Sequence, residues 1–190
     1  MIKTEEKAMA LTHTILVTIA TEPHTGYEIW KNFEETLNCF WKASQQQIYR
    51  ELGKMEQKGL VNSEMIFQQG RPNKKLYSIT EQGKIELEKW ISFPSEPTVI
   101  REDLLVKIRA GSLVNPEIIL QELKHRRQIH QETLTRYQQK EKDYLKNIDS
   151  LTPSDYCLYL TLKRGIIYEN EWIEWCDEAL EYFSSLKLDS

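Results

Sequence analysis

Apolar positions along the first ninety residues recur at helical spacing, then alternate over two short runs, then return to helical spacing. Residues 5–21 place Ala8, Leu11, Ile15 and Ile19 on one stripe, which predicts a helix that ends at Glu22-Pro23. Thr25-Gly26-Tyr27-Glu28 has the form of a capping box and opens a second helix to about Leu37. Ser44-Gln45-Gln46-Gln47 has the same form and opens a third, with Ile48, Leu52 and Met55 as its apolar stripe and Gly59 at its end. LVNSEMIFQQ and KKLYSIT then flank Gly70-Arg71-Pro72-Asn73, the pattern of a hairpin with a tight tip, and Thr80 caps a further helix, EQGKIELEKWIS. Three helices followed by a two-stranded hairpin is the layout of a winged helix-turn-helix.

The stretch FPSEPTVI, with two prolines, marks a boundary between residues 1–92 and 93–190. Beyond it lies a short helix over about 102–111. Asn115-Pro116 then caps a long one reaching about Ile148, and Thr152-Pro153 starts the last. Leu120, Leu123, Leu134 and Tyr137 alternate at intervals of three and four, with Arg127, His130 and Glu141 completing a polar-interrupted heptad seam. Ile166, Ile173, Leu180 and Phe183 form a second such stripe. Amphipathic helices of this length need a partner for their apolar face. These eight residues are therefore the candidate dimerisation surface; a monomeric two-helix hairpin packed on the first half of the chain is the alternative. The expected architecture is mainly α: an N-terminal winged helix-turn-helix of three helices plus a two-stranded β wing, then an all-helical C-terminal dimerisation domain.

The third helix carries the candidate chemistry. With Ile48 at the centre of the buried face, Leu52 and Met55 fall within about 40° of it. Tyr49, Gly53, Gln46 and Arg50 fall at about 100°, 140°, 160° and 200°, one outward strip over the first two turns. Glutamine pairs bidentately with adenine, arginine with guanine or phosphate, and a tyrosine ring or hydroxyl can meet a thymine methyl or a phosphate. Ser44, Gln45 and Gln47 sit at the helix start, where amide donors can hold a phosphate. A mid-helix glycine costs about 1 kcal/mol relative to alanine; Gly53 on this strip leaves room for close approach. Arg71, Lys74 and Lys75 surround the hairpin tip and suit a wing that straddles a phosphate backbone.

Charge qualifies this picture without opposing it. The chain nets −4, but residues 42–77 hold seven basic side chains against three glutamates. Phosphate contact depends on that local surface, because screening acts over about 10 Å. Three cysteines at wide spacing, with no CxxC pair, argue against a disulfide framework and a structural zinc. His13, His24, His125 and His130 are scattered, and no phosphate-binding glycine loop is present, so neither an enzyme nor a cofactor or metal site is expected. No stretch reaches the roughly 18 apolar residues of a membrane span, and the N-terminus lacks a signal-peptide pattern, which implies a cytoplasmic protein.

TGYEI, FWKASQQQIYRELGKMEQKGLV, GRPNKKLYSIT, the following E-x-G and KW together resemble the successive signatures of PadR-type transcriptional regulators, over about residues 10–91. The last hundred residues are similar to the helical arm of the longer subgroup, YLTLKRGIIYENEWIEW most clearly. The resemblance implies a homodimeric repressor that binds an inverted-repeat operator in double-stranded DNA and is released by a small aromatic effector. Ser44, Gln47 and Tyr49 match the recognition-helix motif, and Arg71, Lys74 and Lys75 the wing. Trp90, Trp172 and Trp175 are the candidate effector contacts, as flat rings suited to an aromatic ligand. Two other readings remain open: a winged helix that binds protein, and a ligand-binding helical protein without DNA-reading activity.

Overall fold

A computed structural model of the chain describes residues 11–37, 41–68, 70, 73–97 and 101–186. The chain divides into two compact units, Met1–Pro97 and Thr98–Ser190, within the stretch that carries the two prolines.

In the first unit, α1 covers residues 11–18, α2 Gly26–Asn32, α3 Gln45–Gln57 and α4 Glu81–Ile91. The strands are β1 (His24–Thr25), β2 (Val61–Ile66) and β3 (Lys74–Ile79). Local signals set the boundaries. Thr25 and Glu28 close a capping box on α2, the Thr25 amide donating to Glu28 Oε2 at 2.8 Å. Helix α2 then loosens into a wider π turn over Phe33–Leu37. At the far end of α3, Gly59 takes φ 69°, and the Leu60 amide reaches back to the Met55 carbonyl at 2.9 Å. That is the left-handed stop that glycine makes without steric cost.

The sheet has the order β1-β3-β2 and is antiparallel throughout, with Val61 opposite Ile79 and Ile66 opposite Lys74. Strand β1 is absent from the sequence expectation. Its two residues pair with Tyr77 and Leu76, and a run that short carries no alternation to detect. Ile15, Leu16, Ile29, Ile48, Leu52 and Met55 meet under the sheet as one core. A charge joins them: Glu51 is buried on the back of α3, where it accepts from the Thr12 hydroxyl at 2.6 Å and from Lys54 at 3.1 Å. Partnering is what makes a buried carboxylate tolerable.

In the second unit, α5 covers Asp103–Arg109, α6 Pro116–Leu145 and α7 Pro153–Ser185. Proline stands in the first turn of both long helices, where its missing amide is not needed. Helices α6 and α7 run antiparallel, cross-linked by Arg127–Asp177, His130–Glu169 and Tyr159–Glu141. The heptad seam closes inside the chain itself. Leu120, Leu123, Leu134, Tyr137, Ile166, Ile173 and Phe183 are buried in the chain itself, and Leu180 packs against the same core. The reason is the short connection over 146–152, which folds α7 back along α6.

Apolar surface remains on the outside of this unit, at Val106, Leu113, Ile118, Ile129 and Tyr182. Cys176 is fully buried, and burial pushes its thiol above the ordinary range; Cys157 is exposed, and Cys39 lies outside the described residues. Among the described residues, no helix is long and apolar enough to cross a membrane.

Candidate nucleic-acid interface

Helix α3 presents the strip expected of it. Gln45, Gln46, Gln47, Tyr49 and Arg50 are exposed, while Ile48, Leu52 and Met55 are at most 1% exposed. The side chains of Gln45, Gln46 and Arg50 make no hydrogen bond or ion pair among the described residues. Gln47 is occupied at one end: its Oε1 accepts from the Ser44 amide at 2.8 Å and from the Ser44 hydroxyl at 3.0 Å. Its own amide N–H donates to Ser44 Oγ at 3.3 Å, completing the box and leaving only the Nε2 group of its side chain available. Beside it, Glu34, Lys42, Ala43, Ser44 and Gln47 line an open cleft of about 390 Å³ at the start of the helix.

Two glycines shape the strip. At Gly53 an added Cβ would meet nothing within 4 Å, so the glycine does not relieve crowding inside the protein. Gly53→Ala is expected to stabilise the fold by about 0.5–1 kcal/mol, since alanine is the better helix former. If the cleared space serves a ligand backbone, the same change weakens DNA binding. Thermal melting and fluorescence anisotropy on one preparation read the two signs, and a variant improved in both would remove the clearance role. At Gly26 the situation is reversed: an added Cβ would lie 2.6 Å from Cε1 of Tyr49. The Tyr49 ring thus rests on the start of α2, still 44% exposed at its other face.

The wing is tied to α3 by a short polar chain. Lys75 Nζ donates to Glu56 Oε2 at 2.7 Å, the Ser63 hydroxyl donates to the other oxygen, and Lys75 also lies over the Tyr77 ring. The Lys75 hydrogen bond first, then that of Ser63, holds the Glu56 carboxyl below the ordinary range, and the same contact raises the Lys75 ammonium. Burial lifts the Tyr77 phenol, with the Lys75 charge opposing. Lys74 is exposed and makes no direct pair among the described residues; its charge adds a minor pull on Glu28, whose carboxyl is lowered mainly by hydrogen bonds from Thr25. Arg71 lies outside the described residues.

The two described lysines therefore differ, and their variants should too. For DNA binding followed by anisotropy across a salt series, Lys74→Ala should reduce the log–log slope by about 1. Lys75→Ala should change it less, because that charge is already neutralised, and Glu56→Gln should steepen it by freeing Lys75. Equal effects of the two lysine changes would mean that the Glu56 pair opens on DNA.

In the second unit, Trp172 and Trp175 do come together. With Leu105, Arg164, Tyr168 and Glu171 they line an open, mostly apolar cavity of about 290 Å³. Trp172 stacks on His130 at 5.1 Å and 3°, and meets Trp175 edge-on at 5.4 Å. Trp90 is not part of this group; it stacks on His13 at 4.6 Å in the first unit. Sequence reasoning missed Gly26 and Glu56, whose partners lie about twenty positions away and carry no local signature. Among the described residues, no group of three or more His, Cys, Asp or Glu could hold a metal ion.

Two family models match the chain: the transcriptional regulator PadR-like family over residues 15–89, and the virulence activator alpha C-terminal family over residues 100–184. A Mycobacterium tuberculosis protein named a probable transcriptional regulator is 33% identical over 183 residues, 91% of this chain and 97% of that one. The structure of the Vibrio cholerae virulence activator AphA is similar with a TM-score of 0.78 at 32% identity, over 93% of this chain and 99% of that one. The negative transcriptional regulator PadR of Bacillus subtilis is 27% identical over 173 residues, 90% of this chain and 95% of that one. Its crystal structure with operator DNA shares this fold at a TM-score of 0.81 and 24% identity, over 91% of this chain and 97% of that one. Its complex with p-coumaric acid does so at 0.70 and 23%, over 93% and 97%.

Proposed function

Because the chain belongs to the PadR-like family of transcriptional regulators, we propose that it is a dimeric, sequence-specific DNA-binding repressor released by a small aromatic effector. The family is one of regulators, not enzymes. The observation that carries the DNA reading is the strip on α3. Gln46 and Arg50 stand exposed and unpartnered among the described residues, on a helix whose opposite face is fully buried. A helix so anchored can enter the major groove with its first two turns facing base edges. Tyr49 flanks them, Ser44 and Gln45 begin the helix, and the Gln47 side chain keeps only its amide group for a contact. Lys74, with Arg71 and the paired Lys75, supplies the wing's phosphate contacts.

A two-fold dimer would set two such helices about 34 Å apart, or a multiple of that, matching an inverted repeat. Since the α6–α7 seam is filled from within, self-association is assigned to the apolar surface left outside, which includes Val106, Ile118, Ile129 and Tyr182. The effector is assigned to the cavity of Trp172 and Trp175. The B. subtilis regulator solved with operator DNA and with p-coumaric acid supports both parts of this reading.

A gel shift against the protein's own upstream region, at two salt concentrations and with the dimer verified by light scattering, tests it. Retardation that weakens with salt is expected; none at low salt would overturn the proposal. AphA, 32% identical, is named an activator, so a promoter–reporter fusion decides the sign of regulation. Reporter output should rise when the gene is deleted, and a fall would make the protein an activator.

A further inference from the structure

Three successive apolar side chains stand in water on the wing: Met65 at 48% exposure, Ile66 at 38% and Phe67 at 81%. Single exposed apolar residues are ordinary, but three in succession at the end of a hairpin, Met65 and Ile66 on opposite faces of β2, are not. The hairpin is built to hold them. The Gln68 amide donates across the tip to Asn73 Oδ1 at 3.3 Å, and Gly70 turns the chain at φ 70°. Met65 lies opposite Lys75 and Ile66 opposite Lys74, so the tip pairs apolar side chains with cations across the ladder. Met65 shares a face with Ser63, the face on which the Ser63 hydroxyl meets Glu56 of α3, and Phe67 follows directly on the last residue of β2. Tyr77, opposite Ser63, is buried in the core, whereas Phe67 stands outside it.

We propose that Phe67 is an apolar wedge that the wing inserts into the minor groove, where it unstacks or leans on a base step and so adds sensitivity to DNA deformability. The inference rests on the DNA-binding reading above. The choice of occupant follows from charge and shape. A two-stranded end with the exposed Lys74 opposite Ile66 fits a groove walled by phosphates and floored by sugars and bases. Phenylalanine, methionine and isoleucine are the side chains used as such wedges elsewhere, and their cost of unstacking depends on the step they enter. Beta strand β2 is also a sheet edge, so pairing with a second copy of the chain is the competing occupant.

The test uses the full-length protein and a duplex of its own upstream region, with end-to-end energy transfer reporting bend and 2-aminopurine under the wing reporting unstacking. Phe67→Ala should weaken binding to this duplex roughly 10-fold, a typical loss for one base–aromatic contact. It should also reduce the bend and the 2-aminopurine signal. The salt slope should not move, because no phosphate contact is lost. Phe67→Leu should retain part of all three effects, and the melting temperature should stay at the wild-type value because the ring is not in the core. Wild-type affinity and bend in Phe67→Ala would overturn the wedge while leaving DNA binding by α3 intact. A loss of binding accompanied by a change in sedimentation, with bend per bound complex unaltered, would assign the surface to a second copy and overturn it as well. If the wild-type protein fails to bind the duplex, the underlying reading falls and the wedge with it.

Discussion

Replacing Gly83 with alanine should destabilise the full-length protein by about 3 kcal/mol, at the upper end of the overpacking range. The first thermal transition should fall by roughly 10 °C or more. Gly83 sits in the first turn of α4, and its added Cβ would lie 2.2 Å from the Leu60 carbonyl oxygen and 2.9 Å from Ile79 Cγ1. The carbonyl cannot step aside cheaply. It accepts the Thr80 amide at 3.1 Å, while the Thr80 hydroxyl donates to the Gly59 carbonyl at 2.6 Å and accepts the Gly83 amide at 3.0 Å. Those bonds lock the start of β2 to the start of α4. Alanine's better helix propensity returns about 1 kcal/mol, which is too little to offset a clash with backbone. Circular dichroism melting of the whole chain reads the result, with Gly53→Ala in the same unit as a control of opposite sign. An unchanged transition would mean that α4 can slide away from Leu60 without cost.

Much of this architecture was legible because its signals are local. Capping boxes at Thr25 and Ser44 announce helix starts within four residues, and the left-handed Gly59 announces a stop. The outward strip of α3 follows from a fixed 100° per residue once Ile48 is placed inward. What stayed hidden depends on who meets whom. A heptad seam states that a partner exists and not that it is the same chain; here the segment 146–152 decides, by returning α7 onto α6. The wing lysines read alike in sequence, yet Lys75 is held by Glu56, nineteen positions away, and Lys74 is not. Likewise the tryptophans are equal as letters, and only the fold sorts Trp172 and Trp175 into one cavity and Trp90 onto His13.

Gly26→Ala is the sharper probe of the interface, because it should cost binding far more than stability. The added methyl would lie 2.6 Å from Tyr49 Cε1 and 2.9 Å from Cζ, an overlap with a side chain instead of backbone. Tyr49 is 44% exposed and can swing its ring towards solvent, and alanine suits the first turn of α2 at least as well as glycine. Stability should therefore change by less than about 1 kcal/mol. Binding is another matter, since a displaced ring loses its own contact and crowds the path of Arg50, one residue along the strip. A loss of roughly 10- to 100-fold in affinity for the upstream duplex is expected, the worth of one good base-edge contact or somewhat more. Combining it with Tyr49→Ala separates the explanations. If Gly26 acts only by seating Tyr49, the double variant should bind no worse than Tyr49→Ala alone, a coupling as large as the single effect. Strict additivity would instead give Gly26 an independent role, such as close approach of the α2 backbone to a phosphate. Wild-type affinity in Gly26→Ala would remove Tyr49 from the set of reading residues and leave Gln46 and Arg50 to carry it.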